Sequence, residues 1–229
     1  GLHILGCNVT VPYKNDVIPY LAQIDELAAK MGSVNTLVRV DGGYKGYNTD
    51  MTGLYRAMSS DGVSIQGEQV IVLGAGGVGR AVAFMCAAKG AAHVWLLNRT
   101  VEKAAEVAKE VNLAEGRSCV ETLAMSDYDK LPDEKYLVIQ STSVGLYPHV
   151  EDAVITNPAF YHKVKAGYDL IYRPWETRFM QLVKEQGAPA YNGLKMLLYQ
   201  GIEAFELWNQ CKIEDESAYK LYEMLRTTV

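Results

Sequence analysis

The stretch that most constrains this chain is Val70-Ile71-Val72-Leu73, which runs directly into Gly74-Ala75-Gly76-Gly77-Val78-Gly79 and then Arg80-Ala81-Val82-Ala83. The first four residues read as a buried strand, and the small residues after the glycines read as a helix. A lone GxGxxG is weak, but one set between a strand and a helix is the context a dinucleotide fingerprint requires. There, Gly74 permits a tight turn, Gly76 lets the backbone approach a pyrophosphate, and Gly79 lets the helix pack on the strand. Free N–H groups at the start of the helix then suit an anion. The alternative is a glycine-rich turn that holds no ligand.

The pattern around this motif sets the fold class. Strands are predicted over residues 69–73, 94–97, 136–140 and 166–171, with helices over 77–90, 101–111 and 176–186. Such alternation implies crossover connections and a Rossmann-like, doubly wound parallel sheet in an α/β fold. Upstream, residues 4–11 read as a strand ended by Pro12, residues 25–31 as a helix closed by Gly32, and 34–40 with 44–47 as a hairpin around Asp41-Gly42-Gly43. Thr49-Asp50 offers an N-cap for a helix to Ser60. Downstream, helices are predicted over 194–209 and 215–225. The pattern changes near Asp50 and again near Asn192. The expected division is a dinucleotide domain over 51–191 and a smaller α/β domain built from both ends, 1–50 and 192–229.

Composition removes several function classes. At 229 residues, 49% apolar and 21% charged, the chain matches ordinary globular proteins. Its longest apolar run, Ala81 to Ala88, is far short of a membrane span. A net charge of −5 without a basic run argues against nucleic acid. Cys7, Cys86, Cys119 and Cys211 stand apart with no CxxC pair, which points to reduced thiols and a cytoplasmic location. His3 and Cys7 could be read as a metal pair; alternation along an apolar strand explains them more simply, and no metal is expected.

The second strand of the fingerprint bears on the choice of dinucleotide. An NAD site usually ends that strand with an acid that accepts from the ribose 2′-OH. Here it ends in Asn98-Arg99-Thr100. With no acid at the tip, Arg99 is placed to meet a 2′-phosphate, and Lys103, one helical turn on, can add a second charge. NADP is favoured over a merely solvated Arg and Lys. Elsewhere, Lys14 sits just past Pro12 in a strand of alternating polar residues. Alcohol dehydrogenation needs a group to exchange the hydroxyl proton, and a lysine positioned by a partner such as Asp50 can serve. From the residues alone, Lys14 could equally be a surface lysine and Asp50 a helix cap.

Eight motifs in order carry a wider resemblance. They are Asn8-Val9-Thr10-Val11-Pro12-Tyr13-Lys14, Gly32-Ser33-Val34-Asn35-Thr36, Tyr47-Asn48-Thr49-Asp50 and Gly74 to Gly79, then Asn98-Arg99-Thr100, Ser141-Thr142-Ser143-Val144-Gly145, Asp169-Leu170-Ile171-Tyr172 and Asn192-Gly193-Leu194-Lys195-Met196-Leu197. Together they resemble the shikimate dehydrogenases of the shikimate/quinate dehydrogenase family, over essentially the whole chain. The resemblance implies NADPH-dependent, reversible reduction of 3-dehydroshikimate to shikimate in aromatic amino-acid (chorismate) biosynthesis, in a monomer or homodimer. It makes the two-ended domain the substrate domain, with Lys14 as catalytic lysine and Asp50 as its partner. Asn35, Thr10 and Gln200 match positions that hold the ring and hydroxyls, Tyr172 matches another substrate contact, and Asn8 lies beside them. Gly193 and Met196 match positions near the nicotinamide, and Ser141 and Thr142 open a loop that flanks the cofactor.

Departures from the family pattern are Asn192 for a common Asp, Lys103 for Arg, and Lys195 for a common Gly. In the family a strand, a helix and a carboxylate-gripping serine segment precede the position of Gly1. The resemblance thus carries the expectation that these residues are a fragment that keeps NADP and binds shikimate more weakly. Two alternatives remain: a quinate/shikimate dehydrogenase using NAD, and a non-catalytic dinucleotide-binding paralogue.

Overall fold

The computed structural model describes residues 4–228; Gly1, Leu2, His3 and Val229 lie outside the described residues, and with them the reading of His3. The chain forms two compact units, Gly1–Gly62 with Lys195–Val229, and Val63–Leu194. The pattern change near Asp50 thus precedes the point at which the chain leaves the first unit, and the helix after Asp50 groups with that unit.

In the first unit, β1 (Gly6–Asn8), β2 (Gln23–Ile24), β3 (Thr36–Val40) and β4 (Gly43–Tyr47) form a sheet in the order β1-β3-β4-β2. The strand predicted over 4–11 pairs over only three residues. Pro12 has no N–H to extend the ladder, and the Thr10 carbonyl already turns back to accept from the Tyr13 N–H at 2.9 Å. Helix α1 (Glu26–Met31) starts on Asp25, whose carboxylate accepts from Leu27 and Ala28, and ends at Gly32 in the left-handed region, φ 58°. Helix α2 (Thr49–Ser60) is capped by Asn48, whose Oδ1 accepts from Met51 N–H at 3.2 Å, rather than by Thr49 or Asp50. Asn48 is the residue with extended backbone, the geometry an N-cap needs. Asp50 is thereby released from capping.

Ala28, Val34 and Leu37 form one small core cluster of this unit, and Met31, Leu54 and Met58 are buried in the unit as well. Two later helices complete it, α7 (Leu194–Asn209), which starts at the last residue of the second unit, and α8 (Asp215–Thr228). Trp208 of α7 donates its indole N–H to the Leu37 carbonyl at 2.9 Å. In the last turn of α7 the buried Glu206 carboxylate gathers Arg56, Lys212 and the Ile213 N–H.

The second unit holds six strands: β5 (Gln69–Leu73), β6 (His93–Asn98), β7 (Val120–Ala124), β8 (Tyr136–Gln140), β9 (Val164–Asp169) and β10 (Ala190–Tyr191). Every neighbouring pair is parallel, in the order β10-β9-β8-β5-β6-β7. Numbered within the unit and read from β7, that is 3-2-1-4-5-6, the doubly wound order of dinucleotide folds. The helices α3 (Gly77–Ala88), α4 (Val101–Glu115), the short α5 (Pro158–Tyr161) and α6 (Arg178–Glu185) connect the strands. Strands β5 and β8 are almost wholly buried, as a sheet covered on both faces requires. The expected parallel α/β sheet is present; β7, β10 and α5 are additions to the sequence reading. The strand order reverses between β5 and β8, the point where ligands of such sheets bind. Among the described residues, no helix is long and apolar enough to cross a membrane.

Candidate active site

At the switch point, Gly74 and Gly79 make the tight turn and the close helix approach that their spacing suggests. Gly74 has φ 104°, where a side chain is strained, and a Cβ there would stand 2.7 Å from the Thr142 methyl. A Cβ on Gly79 would stand 2.0 Å from the Gly74 carbonyl oxygen, so α3 reaches the strand tip only without one. Gly76 and Gly77 are exposed, and a Cβ on either would meet nothing within 4 Å. Gly76 is the N-cap of helix α3 and brings no side chain, so among the described residues the N–H groups of the first turn have no side-chain cap. Ala75 is buried and Val78 half exposed. An open cradle at an uncapped helix start fits a pyrophosphate.

Asn98 ends β6 with both ends of its amide in use. Its Oδ1 accepts from the Ala75 N–H at 3.1 Å and its Nδ2 donates to the Thr100 carbonyl at 2.8 Å. It therefore shapes the glycine loop from the neighbouring strand. Arg99, Thr100 and Lys103 are exposed at the start of α4. A cleft beside Arg99 is lined by Met125, Ser126, Tyr128 and Asn157.

On the other side of the switch point, Ser141 Oγ donates to the Leu73 carbonyl at 2.7 Å, tying the loop after β8 to the end of β5. Thr142 is held by Gln140, whose Oε1 accepts from the Thr142 N–H at 2.5 Å and its hydroxyl at 2.7 Å. Gln140 and Asp169, register partners on β8 and β9, are both wholly buried. Asp169 accepts from Ile171 N–H at 2.9 Å, Thr177 Oγ1 at 2.6 Å and Gln140 Nε2 at 3.3 Å. Burial pushes its carboxyl up to about 6, against the pull of those donors. Sequence reasoning missed this buried pair; its signal was a Gln and an Asp each closing an apolar strand. Beyond Asp169, Tyr172 is exposed, and Gly193 donates its N–H to the Ile171 carbonyl at 3.0 Å.

In the first unit, Lys14 Nζ lies 2.6 Å from Asp50 Oδ2, and both side chains stay partly open to solvent, at 26% and 23%. The backbone holds Lys14 in place through its carbonyl, which accepts from the Val34 N–H at 2.8 Å. Asn35, nearly fully buried, spends its Oδ1 on the Thr49 N–H at 2.7 Å and on the Thr36 and Thr49 hydroxyls. That leaves its Nδ2 as the group it can offer a ligand. Asn8 donates Nδ2 to Thr36 Oγ1 at 3.0 Å, and Thr10 is exposed beside it on the same strand exit. Gln200, in the middle of α7, donates Nε2 to the Leu197 carbonyl at 3.0 Å, and Met196 is half-buried one turn earlier. Lys195, at the family's glycine position, pairs with Asp61 and sits 5.4 Å above the Tyr222 ring, joining the start of α7 to the end of α2 and to α8.

A doubly wound dinucleotide sheet with a lysine–aspartate pair on a second α/β unit defines the class as a nicotinamide-dependent oxidoreductase. Known proteins narrow this further. Family profiles described as "Shikimate dehydrogenase substrate binding domain", "Shikimate / quinate 5-dehydrogenase" and "Shikimate 5'-dehydrogenase C-terminal domain" match residues 1–37, 57–157 and 193–219. A shikimate dehydrogenase (NADP(+)) of Moorella thermoacetica is 40% identical over 91% of this chain and 70% of its own length. The Listeria monocytogenes shikimate 5-dehydrogenase, solved with shikimate and NAD, superposes with a TM-score of 0.86 at 28% identity, over 95% of this chain and 77% of that one. The Thermus thermophilus enzyme, solved with NADP(H) and shikimate, gives 0.80 at 31% identity, over 97% and 80%. The chain belongs to the shikimate dehydrogenase family.

Proposed function

We propose that this protein is an NADP-dependent shikimate dehydrogenase, interconverting 3-dehydroshikimate and shikimate. The observation that supports it most is the 2.6 Å contact between Lys14 and Asp50, 36 residues apart, in a pair that remains open to solvent. A nicotinamide dinucleotide supplies the hydride when bound. In the reducing direction Lys14 gives a proton to the C3 carbonyl oxygen as hydride reaches the carbon, leaving the alcohol; oxidation reverses both transfers. Asp50 holds the lysine chain in one orientation. Asn8, Thr10, Asn35, Gln200 and Tyr172 are assigned to the substrate, whose hydroxyls call for small polar donors and acceptors. Gly74 to Gly79, Thr100, Ser141, Thr142, Gly193 and Met196 are assigned to the cofactor, with Arg99 and Lys103 at the 2′-phosphate.

Arg99 and Lys103 at an acid-free strand tip favour NADP over NAD, and the formed Lys14–Asp50 pair speaks against a non-catalytic paralogue. The protein is read as cytoplasmic, monomeric or homodimeric. The buried thiols of Cys86 and Cys119, both unpaired, suit a reducing compartment. The test is NADPH formation from shikimate and NADP, with quinate and NAD as the alternative substrates. No turnover with any combination would sink the reading; faster turnover with NAD would replace its cofactor half.

A further inference from the structure

Gly53 lies on α2 one turn beyond Asp50, on the same helix face. An ideal Cβ on Gly53 would stand 2.5 Å from the Gln200 nitrogen, 2.7 Å from its Cα and 3.0 Å from its Cβ. Helices α2 and α7 therefore touch backbone to backbone at this pair, an approach only a residue without a side chain allows. The requirement is local: a Cβ on Gly201, the next residue of α7, meets nothing within 4 Å. In a helix interior glycine is otherwise a poor choice, so the close crossing is its reason to be there.

From this we infer that Gly53 is a positioning residue for the reaction, setting the distance between the Lys14–Asp50 pair and Gln200. The inference rests on the reading of those three side chains given above. Asp50 moves with α2, and Gln200 with α7. A ring held through Gln200 presents its reacting oxygen to Lys14 only at one separation of the two helices. Adding a methyl at Gly53 must push the Gln200 backbone away by about 1 Å to reach ordinary van der Waals contact. Misplacement of that size costs about a hundredfold in rate.

Four variants test this: Gly53→Ala, Gly201→Ala, Gln200→Ala and the double Gly53→Ala/Gln200→Ala. Shikimate kinetics, NADP affinity by calorimetry and the melting temperature are measured for each. Gly53→Ala should lower kcat/KM for shikimate by about tenfold to a hundredfold with NADP affinity unchanged, while Gly201→Ala behaves as the parent. In the Gln200→Ala background, the kinetic cost of Gly53→Ala should largely vanish, because the backbone still shifts but the amide that this shift misplaces is gone. Equal cost in both backgrounds, or no cost in either, overturns the inference and leaves the substrate site standing. A silent Gln200→Ala overturns the substrate-site reading and the inference with it. Should Gly53→Ala fail to fold, Gln200→Asn withdraws the same amide by about one bond without touching the crossing. It must then reproduce the kinetic loss, and unchanged shikimate kinetics would refute the distance requirement.

Discussion

Two fingerprint glycines, three positions apart, should fail in opposite ways when given a methyl group. A Cβ at Gly79 would lie 2.0 Å from the Gly74 carbonyl oxygen, 2.8 Å from its carbon and 2.7 Å from Ser141 Oγ. The nearest partner is backbone at the end of β5, which cannot rotate away. To restore a contact of about 3.4 Å, α3 must withdraw by about 1.4 Å from the strand tip. Overpacking of this kind costs about 1–3 kcal/mol, and a backbone collision belongs at the upper end. For a protein of this size that is a fall of about 6–12 °C in Tm. A Cβ at Gly76 meets nothing within 4 Å. Alanine is a poorer N-cap than glycine by about 1 kcal/mol at most, so Gly76→Ala should melt within a few degrees of the parent. Its methyl would instead fill the space a pyrophosphate approaches. Losing one or two charge-assisted contacts there should weaken NADP about tenfold to a hundredfold. Circular-dichroism melts and calorimetric titration with NADP read both variants. A Gly79→Ala protein with the parent Tm would mean that α3 is not seated against Gly74. Parent-like NADP affinity in Gly76→Ala would mean that the phosphates do not pass over that residue.

Other outcomes follow from the remaining site residues. Lys14→Ala should lower kcat by about 10²–10⁴-fold with NADP affinity intact; near-normal kcat would remove Lys14 from proton transfer. Arg99→Ala should raise KM for NADP about tenfold to a hundredfold and leave KM for NAD nearly unchanged, whereas equal losses would give Arg99 a structural role. Asp169 is held at about 6 when folded, above an unfolded value of about 3.9. The native state therefore binds the extra proton in that window, and this group's contribution to stability falls as pH rises through it. Denaturant melts should accordingly show the stability of the parent, relative to Asp169→Asn, declining by about 3 kcal/mol between about pH 4 and pH 7; a difference independent of pH would contradict the burial argument.

What the sequence made legible was local. The β5–loop–α3 unit is written in three consecutive patterns, an apolar run, spaced glycines and a small-residue helix, and each agrees with the others. The same holds for α1, bracketed by Asp25 and Gly32. Helix α2 was placed correctly but its cap was not, because Asn48, Thr49 and Asp50 are all cap-forming residues and only the extended backbone at Asn48 decides among them. Strand β7 escaped notice since it sits at the sheet edge, pairs only with β6 and carries Glu121 in a run of mixed polarity. Strand β10 has two residues, too few for any period. The contact between Lys14 and Asp50 joins residues from separate elements, and nothing in their spacing requires it; the motif resemblance suggested the pair. Gly53 and the Gln140–Asp169 pair were invisible for a related reason. Their meaning lies in what stands opposite them across a helix crossing or a strand register.

Asn98, expected among the cofactor-binding residues, bears on the choice of dinucleotide through the hydrogen bonds it makes. Its position at the end of β6 is where an acid would accept from a ribose hydroxyl. The structure instead turns its amide inward, Oδ1 to Ala75 and Nδ2 to Thr100. The Asn98 oxygen already accepts from the glycine loop, and an amide carries no charge to repel a phosphate. The side chains left at the surface of the strand tip are then Arg99 and, one turn along, Lys103, both exposed cations at a helix start. Their attraction is to negative charge, with Arg99 able to grip it in two places and Lys103 acting as a point charge. On the assignment proposed above, preference for the phosphorylated dinucleotide rests on two features together, a strand tip without an acid and a pair of exposed cations beside it. An acid at position 98 would keep an oxygen for the Ala75 N–H, but it would lose the donor to the Thr100 carbonyl and set a negative charge against a 2′-phosphate.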